Sequence, residues 1–366
     1  MTMSSAIVRL ALAVLACSTT VAAAAQVRSG AELYARACAA CHGADGRGLD
    51  ASQLGFEVPV PDFTDCDFAV REPDSDWAAI VHLGGPARGF DRLMPAFGEA
   101  LTDEEIERVL AHVRTFCRDD RWPRGELNVP RALFTEKAYP EDEAVITTTI
   151  VTEGRNALQH EFLWEQRFGP LNQIEIGVPL ARADLGEPRG RESGTGDLAV
   201  GVKHTMGHSL ERGTIWSIGG ELVLPTGDEA KGFGSGTTIF EPFVMLGKLL
   251  PRDSFFQLHA FVELPASDER EDELGLRLAL GRTWTKGRFG RAWTPMIEVL
   301  AARELRGGAE TNYDLVPQLQ VTLNARQHVM ANVGIRVPAT NRSERTTELV
   351  FYLLWDWFDG GVLEGW

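Results

Sequence analysis

Three residues within one short stretch have the types and spacing needed to hold a redox cofactor. Residues 38–42 read Cys-Ala-Ala-Cys-His, and a Cys-x-x-Cys-His run is the attachment sequence of a c-type haem. Two thiols three positions apart reach the two vinyl groups of the macrocycle, while the adjacent imidazole lies beneath the iron. The pattern therefore predicts one covalently attached haem c, held by Cys38 and Cys41, with His42 as the proximal iron ligand.

The second axial ligand of the iron is predicted in residues 92–105, which read RLMPAFGEALTDEE. Met94 offers a soft, neutral thioether, and His/Met ligation raises the reduction potential of a haem. A lone methionine more often fills a core, but Pro95 makes this loop rigid just before a capped helix. His82 and His112 are the competing ligands, each on a helix-like segment where a partly exposed histidine is ordinary.

Two amphipathic helices would wrap this cofactor. Ser29 with Glu32, and Thr102 with Glu105, form the capping-box pattern that starts a helix. Both helices carry an apolar stripe, and a covalently held macrocycle adds apolar surface to a domain whose own core is modest. Residues 26–120 are therefore predicted to form an all-α haem domain.

The N-terminal residues 1–25 have the pattern of an export signal. Arg9 is followed by an apolar stretch over 10–17 and by small residues that end at Ala25. Cys17 within this stretch leaves lipidation open as an alternative to simple removal. Because exported proteins enter an oxidising compartment, Cys66 and Cys117 are predicted to pair as a disulfide, two free thiols being the alternative.

Charge and composition limit the remaining chain. The protein has 366 residues and a formal net charge of −16, which argues against a nucleic-acid partner because phosphate binding needs a basic face. Residues 121–143 contain Pro123, Pro130 and Pro140 among many charges, a composition typical of a linker.

Beyond residue 143 the apolar period changes to two. Leu274, Leu276, Leu278 and Leu280 alternate with polar or small residues, and about twelve such segments follow one another, each about ten residues or longer. That length crosses a bilayer as a tilted strand, and aromatic residues collect at segment ends as interface girdles require. We predict an antiparallel transmembrane barrel over 144–358 and a C-terminal tail over 359–366, with a soluble β-sandwich as the alternative.

The order of loop lengths also fits a bacterial outer-membrane barrel. If the first strand rises from the periplasm, the connections that face outward are mostly the longer ones and those that face inward the shorter ones. This orientation predicts that the Cys-Ala-Ala-Cys-His motif lies at the periplasmic mouth of the barrel.

These motifs carry a resemblance to known families. With CAACHG, LMPAFG and an acidic terminal helix, residues 26–120 resemble a class I monohaem cytochrome c, which implies haem attachment at Cys38 and Cys41 and ligation by His42 and Met94. GDLAVGVKHTM (196–206) and ELVLPTGDEAKGFGSG (221–236) are similar to outer-membrane transporter-like proteins of aromatic-degradation pathways. The whole chain resembles fused cytochrome-porin proteins.

The resemblance implies an outer-membrane electron-transfer protein that passes electrons between periplasm and exterior. Its expected partners are periplasmic redox proteins, outer-membrane lipid and an extracellular electron donor or acceptor. Arg167, Lys203 and Arg277 are candidate luminal neighbours of the redox centre, and no residue is predicted to be catalytic. The alternatives are a solute channel carrying a periplasmic cytochrome module, and a haem enzyme with an open iron site, which ligation by Met94 opposes.

Overall fold

The computed structural model describes residues 27–151, 157–343 and 345–357. The export signal with Cys17 and the C-terminal tail lie outside these residues. None of the helices that the structure describes is long and apolar enough to cross a membrane.

The N-terminal region is a small helical domain, as predicted. Its helices are α1 (Gly30–Ala37), α2 (Ala39–His42), α3 (Ala51–Leu54), α4 (Cys66–Ala69), α5 (Asp74–Leu83) and α6 (Asp103–Val113). The capping boxes of Ser29 with Glu32 and of Thr102 with Glu105 are both present. Helix α1 packs on α6, and a Cβ at Gly30 would run into the carbonyl oxygen of Arg108, so this helix contact requires a glycine.

The C-terminal region is a closed antiparallel barrel of twelve strands, which confirms the predicted fold. The strands, including two short ones outside the barrel wall, are β1 (Glu143–Val151), β2 (Ala157–Phe168), β3 (Asn172–Asp184), β4 (Arg191–Thr195), β5 (Leu198–Ser209), β6 (Thr214–Leu224), β7 (Ile239–Leu250), β8 (Ser254–Pro265), β9 (Glu273–Arg282), β10 (Trp284–Thr285), β11 (Ala292–Glu304), β12 (Asn312–Thr322), β13 (Val329–Pro338) and β14 (Glu348–Asp356). Strands β4 and β10 only extend the hairpins beside β3 and β11. Strand β1 pairs with both β2 and β14, so the barrel has no free edge.

The two faces of the barrel wall have opposite chemistry. Large apolar side chains stand exposed on the outer face of most strands, as with Phe162, Leu222, Leu280, Ile335 and Phe351. Buried polar side chains face the lumen; they include Glu165, Gln173, Lys203, Gln257, Glu298 and Gln318. A closed barrel that is apolar outside and polar inside has the construction of an outer-membrane protein, because closure pairs the strand edges and the apolar outer face meets lipid.

The two ends of the barrel differ in their connections. At one end, the short-turn end, the strands are joined by residues 169–171, 210–213, 251–253, 283–291 and 323–328. At the other, the long-loop end, several connections are longer, such as 225–238 between β6 and β7. The helical domain contacts the short-turn end, where Arg88 donates to the carbonyl oxygen of Phe289 at 2.9 Å.

The segment between the helical domain and β1 lies inside the barrel. We call residues 127–142 the luminal segment. Leu127, Ala138 and Tyr139 pack against wall residues of β6, β7 and β8, and Val129 and Ala132 pack against β8, β9 and β11. A composition typical of a linker did not indicate this burial. The apolar residues between its prolines are the signal that could have done so.

Candidate haem site and its contact with the barrel

The turn of α2 brings the three motif residues together. The amide groups of Cys41 and His42 both donate to the carbonyl oxygen of Cys38, at 3.1 and 3.0 Å. Both thiols are free and partly buried. Burial raises the pKa of the Cys38 thiol to about 11, so this cysteine stays a neutral thiol at pH 7.

His42 has the properties of an iron ligand. Its ring stacks on Phe63 at 4.9 Å, and its Nδ1 atom is buried with no hydrogen-bond partner among the described residues. Burial lowers the pKa of the imidazole to about 4. The ring is therefore neutral at pH 7, which is the form that binds a metal.

Met94 lies against the same apolar core as the motif. The core contains Leu33, Tyr34, Phe63, Trp77, Ile106 and Leu110 among others, and both Cys38 and Met94 pack against it. The amide of Gly85 donates to the carbonyl oxygen of Met94 at 2.9 Å, which fixes the loop from the side of α5.

The two competing histidines have other neighbours. The ring of His82 lies 5.5 Å from that of Phe289, a residue of a short barrel turn, and its Nε2 is 3.7 Å from the Asp103 carboxylate. The ring of His112 packs edge-on against Tyr34 and Phe116. Both rings therefore take part in packing between elements.

The residues present fit a haem c. Cys38 and Met94 pack on one apolar core, the His42 ring stacks on Phe63 of that core, and Cys41 is the second free thiol of the same turn. The Nδ1 atom of His42 has no hydrogen-bond partner among the described residues. A haem held there supplies one-electron redox chemistry. Cys66 and Cys117 are joined by a disulfide with a Cα–Cα distance of 5.0 Å, which ties α4 to the chain that follows α6.

Charged contacts join the haem domain to the barrel. Arg71 forms an ion pair with Asp142, the last residue before β1. The Glu72 carboxylate lies within hydrogen-bond distance of His328 Nε2, at 2.7 Å. The other nitrogen of His328 lies 3.3 Å from Asp356 at the end of β14. Because Arg71 and His328 are almost fully covered, the domain is held against the barrel by buried charge pairs.

The luminal segment is held by side chains from most of the wall. Three backbone carbonyls of the segment accept hydrogen bonds from wall side chains: that of Pro130 from Gln257 at 2.8 Å, that of Phe134 from Arg277 at 3.0 Å, and that of Lys137 from Lys203 at 2.8 Å. From Asn128 to Asp142 the segment forms no regular helix or strand, so its buried backbone groups need such partners.

One wall residue, Glu298 of β11, organises the middle of this segment. Its carboxylate accepts from the backbone amides of Leu133, Phe134 and Thr135 at 2.6–3.2 Å, and it is fully buried. Sequence reasoning did not single out Glu298. Its inward position between apolar outward neighbours on β11 marked it as luminal but could not indicate what it binds.

Arginine and lysine of the luminal segment pair with buried wall carboxylates. Arg131 contacts Glu143 at 2.9 Å and Glu165 at 2.7 Å, and Lys137 contacts Glu143 at 3.0 Å. The segment is therefore bonded to β1 and β2 on one side of the lumen as well as to β5, β8, β9 and β11.

The three charged residues predicted as neighbours of the redox centre contact this region. Lys203 and Arg277 bind the luminal segment, as described above. Arg167 lies over the rings of Trp122 and Tyr139 at 4.7 and 5.5 Å. The structure thus brings all three to the chain that leads from the haem domain into the lumen.

Comparison with known proteins agrees with this two-part organisation. Residues 25–113 match the family model described as cytochrome C oxidase, cbb3-type, subunit III. Cytochrome c-553 of Desulfomicrobium norvegicum is 32% identical over 87 residues, which cover 24% of this chain and 95% of that protein. The N-terminal domain therefore belongs to the cytochrome c family, as the motif predicted.

Among solved structures, an outer-membrane channel of Pseudomonas putida F1 is 13% identical, with a TM-score of 0.45, over 63% of this chain and 100% of that one. KdgM porin is 10% identical, with a TM-score of 0.37, over 59% of this chain and 99% of that one. Residues 128–347, more than half of the chain, match the family model described as putative MetA-pathway of phenol degradation. The chain therefore belongs to that family and carries a cytochrome c domain ahead of its barrel.

Proposed function

We propose that this protein is an outer-membrane haem c electron carrier that exchanges electrons between periplasmic redox proteins and a donor or acceptor outside the cell. Cys38 and Cys41 hold the haem covalently, and His42 and Met94 ligate its iron. The short-turn end of the barrel faces the periplasm, as short turns do in outer-membrane barrels.

The observation that carries this proposal is the attachment of the haem domain to the barrel. Buried contacts of Arg71 and Glu72 hold the domain at the short-turn end, and the chain then continues directly into the lumen. A mobile cytochrome on a flexible tether would have no need of these contacts. A fixed domain keeps its haem at a constant distance from the barrel lumen. Electron transfer through the barrel requires such a constant distance.

The segment bound inside the lumen argues against the solute channel. Passage of a solute would require the luminal segment to leave, which breaks its hydrogen bonds to Glu298, Gln257, Arg277 and Lys203. At about 1 kcal/mol for a neutral hydrogen bond and about 1.5–3 kcal/mol for one to a charged group, such an opening is rare unless a partner drives it.

The deciding experiment uses the haem-loaded full chain in liposomes that enclose a soluble cytochrome as acceptor. We expect a membrane-impermeant reductant added outside to reduce the enclosed acceptor, and a variant with Cys38→Ser and Cys41→Ser to leave it oxidised. No reduction with haem-loaded protein in either orientation would refute the conduit. Rapid liposome swelling in small sugars, equal with and without haem, would instead support a solute channel.

The spectrum of the purified protein tests the haem enzyme alternative. We expect a six-coordinate, low-spin iron that loses its thioether ligand on Met94→Ala substitution and not on His82→Ala. A five-coordinate iron in the unmodified protein would favour the enzyme.

A further inference from the structure

The loop that carries Met94, residues 91–98, is hydrogen-bonded to the chain at the end of α5, and we call it the ligand loop. The amide of Gly98 donates to the carbonyl oxygen of His82 at 3.0 Å. The amide of Gly85 donates to the carbonyl oxygen of Met94 at 2.9 Å. A Cβ at Gly98 would lie 2.5 Å from the His82 ring, so the ring packs directly on the loop backbone. The position of Met94 therefore depends on the chain around His82.

A short turn of the barrel also contacts the His82 ring. Phe289, in the connection 283–291, is half-buried, and its ring lies 5.5 Å from the His82 ring. The carbonyl oxygen of Phe289 accepts a hydrogen bond from Arg88 at 2.9 Å, and Arg88 is itself paired with Asp76 of α5. The His82 ring thus contacts both the ligand loop and the barrel.

Two more contacts anchor the chain before and after the ligand loop. Before it, Arg326 of the connection 323–328 lies over the ring of Phe90, with its guanidinium carbon 4.4 Å from the ring centroid. After it, Asp103 at the start of α6 forms an ion pair with Arg288 of the barrel. The chain is therefore held by barrel turns on both sides of the ligand loop.

The ligand loop has few packing contacts of its own to fix it. Leu93, Pro95 and Ala96 are exposed, whereas Met94 and Phe97 pack against the core. A methionine leaves an iron only when its loop moves away, and a loop whose ends are fixed has fewer conformations to gain by moving. Contacts at the ends of the loop therefore favour the bound methionine.

We propose that Phe289 and Arg326 of the barrel are positioning residues for Met94, so that docking on the barrel stabilises methionine ligation of the haem iron. The inference rests on the proposed ligation by Met94. His/Met ligation raises the reduction potential of a haem, so the barrel contacts keep that potential high. A domain detached from the barrel would exchange its methionine for other ligands more readily.

The test is displacement of the methionine by imidazole in the oxidised, haem-loaded full chain in detergent, followed by loss of the absorption band of the iron–thioether bond. We expect Phe289→Ala to lower the imidazole concentration for half-displacement by about two- to tenfold, because an aromatic contact is lost. Arg326→Met should lower it by about two- to fivefold. The matched control is Phe168→Ala, which removes an exposed phenylalanine at the same end of the barrel, with no described contact to the haem domain. It should titrate like the unmodified protein.

Hydrogen exchange, followed by mass spectrometry, tests the mobility of the ligand loop itself. Peptides that cover residues 82–98 should exchange faster in the Phe289→Ala variant, while those of α1 keep their rate. Unchanged exchange of residues 82–98, an unchanged imidazole titration of both barrel variants, or an equal shift in the control would overturn the positioning role and leave Met94 as the ligand. Lack of the iron–thioether band in the unmodified protein would overturn ligation by Met94, and the inference with it. Neither measurement involves electron transfer, so the proposed conduit depends on its own experiment.

Discussion

The two halves of the lumen use the same residue type in opposite ways. Near the haem domain, Glu143, Glu165 and Glu298 are fully buried and each is paired with a cation or backbone amides of the luminal segment. Towards the long loops, Glu221 and Glu241 occupy inward positions, and within the part of the chain that the structure describes neither has such a partner. The difference teaches that the luminal segment, and not the wall alone, decides which of the inward carboxylates are paired.

The largest loss of stability is expected from substitution of Arg131, which joins the luminal segment to the barrel wall. Arg131→Met leaves two buried carboxylates without this cation, and breaking a buried pair from one side costs about 3–5 kcal/mol. We expect this loss in the free energy of unfolding of the folded barrel, measured by urea titration in detergent. Arg306→Met on an exposed loop is the control and should change the free energy of unfolding little. If Arg131→Met changed it as little as the control, the luminal segment would have no role in barrel stability.

A smaller effect is expected at Glu298. Glu298→Gln places an amide nitrogen or a neutral oxygen where three backbone amides donate, and loss of charge-assisted hydrogen bonds costs about 1.5–3 kcal/mol. The luminal segment should loosen, which planar-bilayer recordings would detect as new conductance. No new conductance together with an unchanged free energy of unfolding would mean that packing, and not these hydrogen bonds, holds the luminal segment.

Docking of the haem domain should respond to Glu72. Glu72→Gln weakens the contact with His328, one of several contacts at this interface, so we expect about 1–2 kcal/mol of lost interface stability. The readout is faster protease cleavage between domain and barrel with an unchanged haem spectrum. Asp67→Asn, which removes an exposed partner of Arg71 within the domain, should cleave at nearly the unmodified rate.

The smallest effect is expected in the upper lumen. Glu221→Gln removes repulsion with Glu241 and breaks no described hydrogen bond, so the free energy of unfolding should change by no more than about 0.5 kcal/mol or rise slightly. A loss as large as that of Glu298→Gln, seen in the same urea titration, would show that the two halves of the lumen are alike.

Much of the fold could be predicted from the sequence because the signals for it are local. The capping boxes of α1 and α6 involve residues three apart, and the barrel strands show the period of two that any wall with one apolar and one polar face must have. The cytochrome motif is likewise one short turn, since Cys38, Cys41 and His42 must reach one macrocycle.

The burial of the luminal segment could not be predicted in this way because its partners are distant in sequence. Leu133 binds Glu298, and Gln257 binds Pro130, across separations of 165 and 127 residues. The prolines of the luminal segment disfavour a helix or a strand, and they therefore suggested a linker. Only the closed barrel wall supplies the donors and acceptors that make burial of the segment possible.

The sequence by itself determined the cytochrome motif, the capping boxes and the alternation of the barrel strands, because these depend on spacing along the chain. The tertiary structure decided that residues 127–142 enter the barrel, that the haem domain rests on its short turns, and which carboxylates are paired. Pairing depends on where Arg131 and Lys137 come to lie. That position follows from closure of twelve strands around them, which no local pattern encodes.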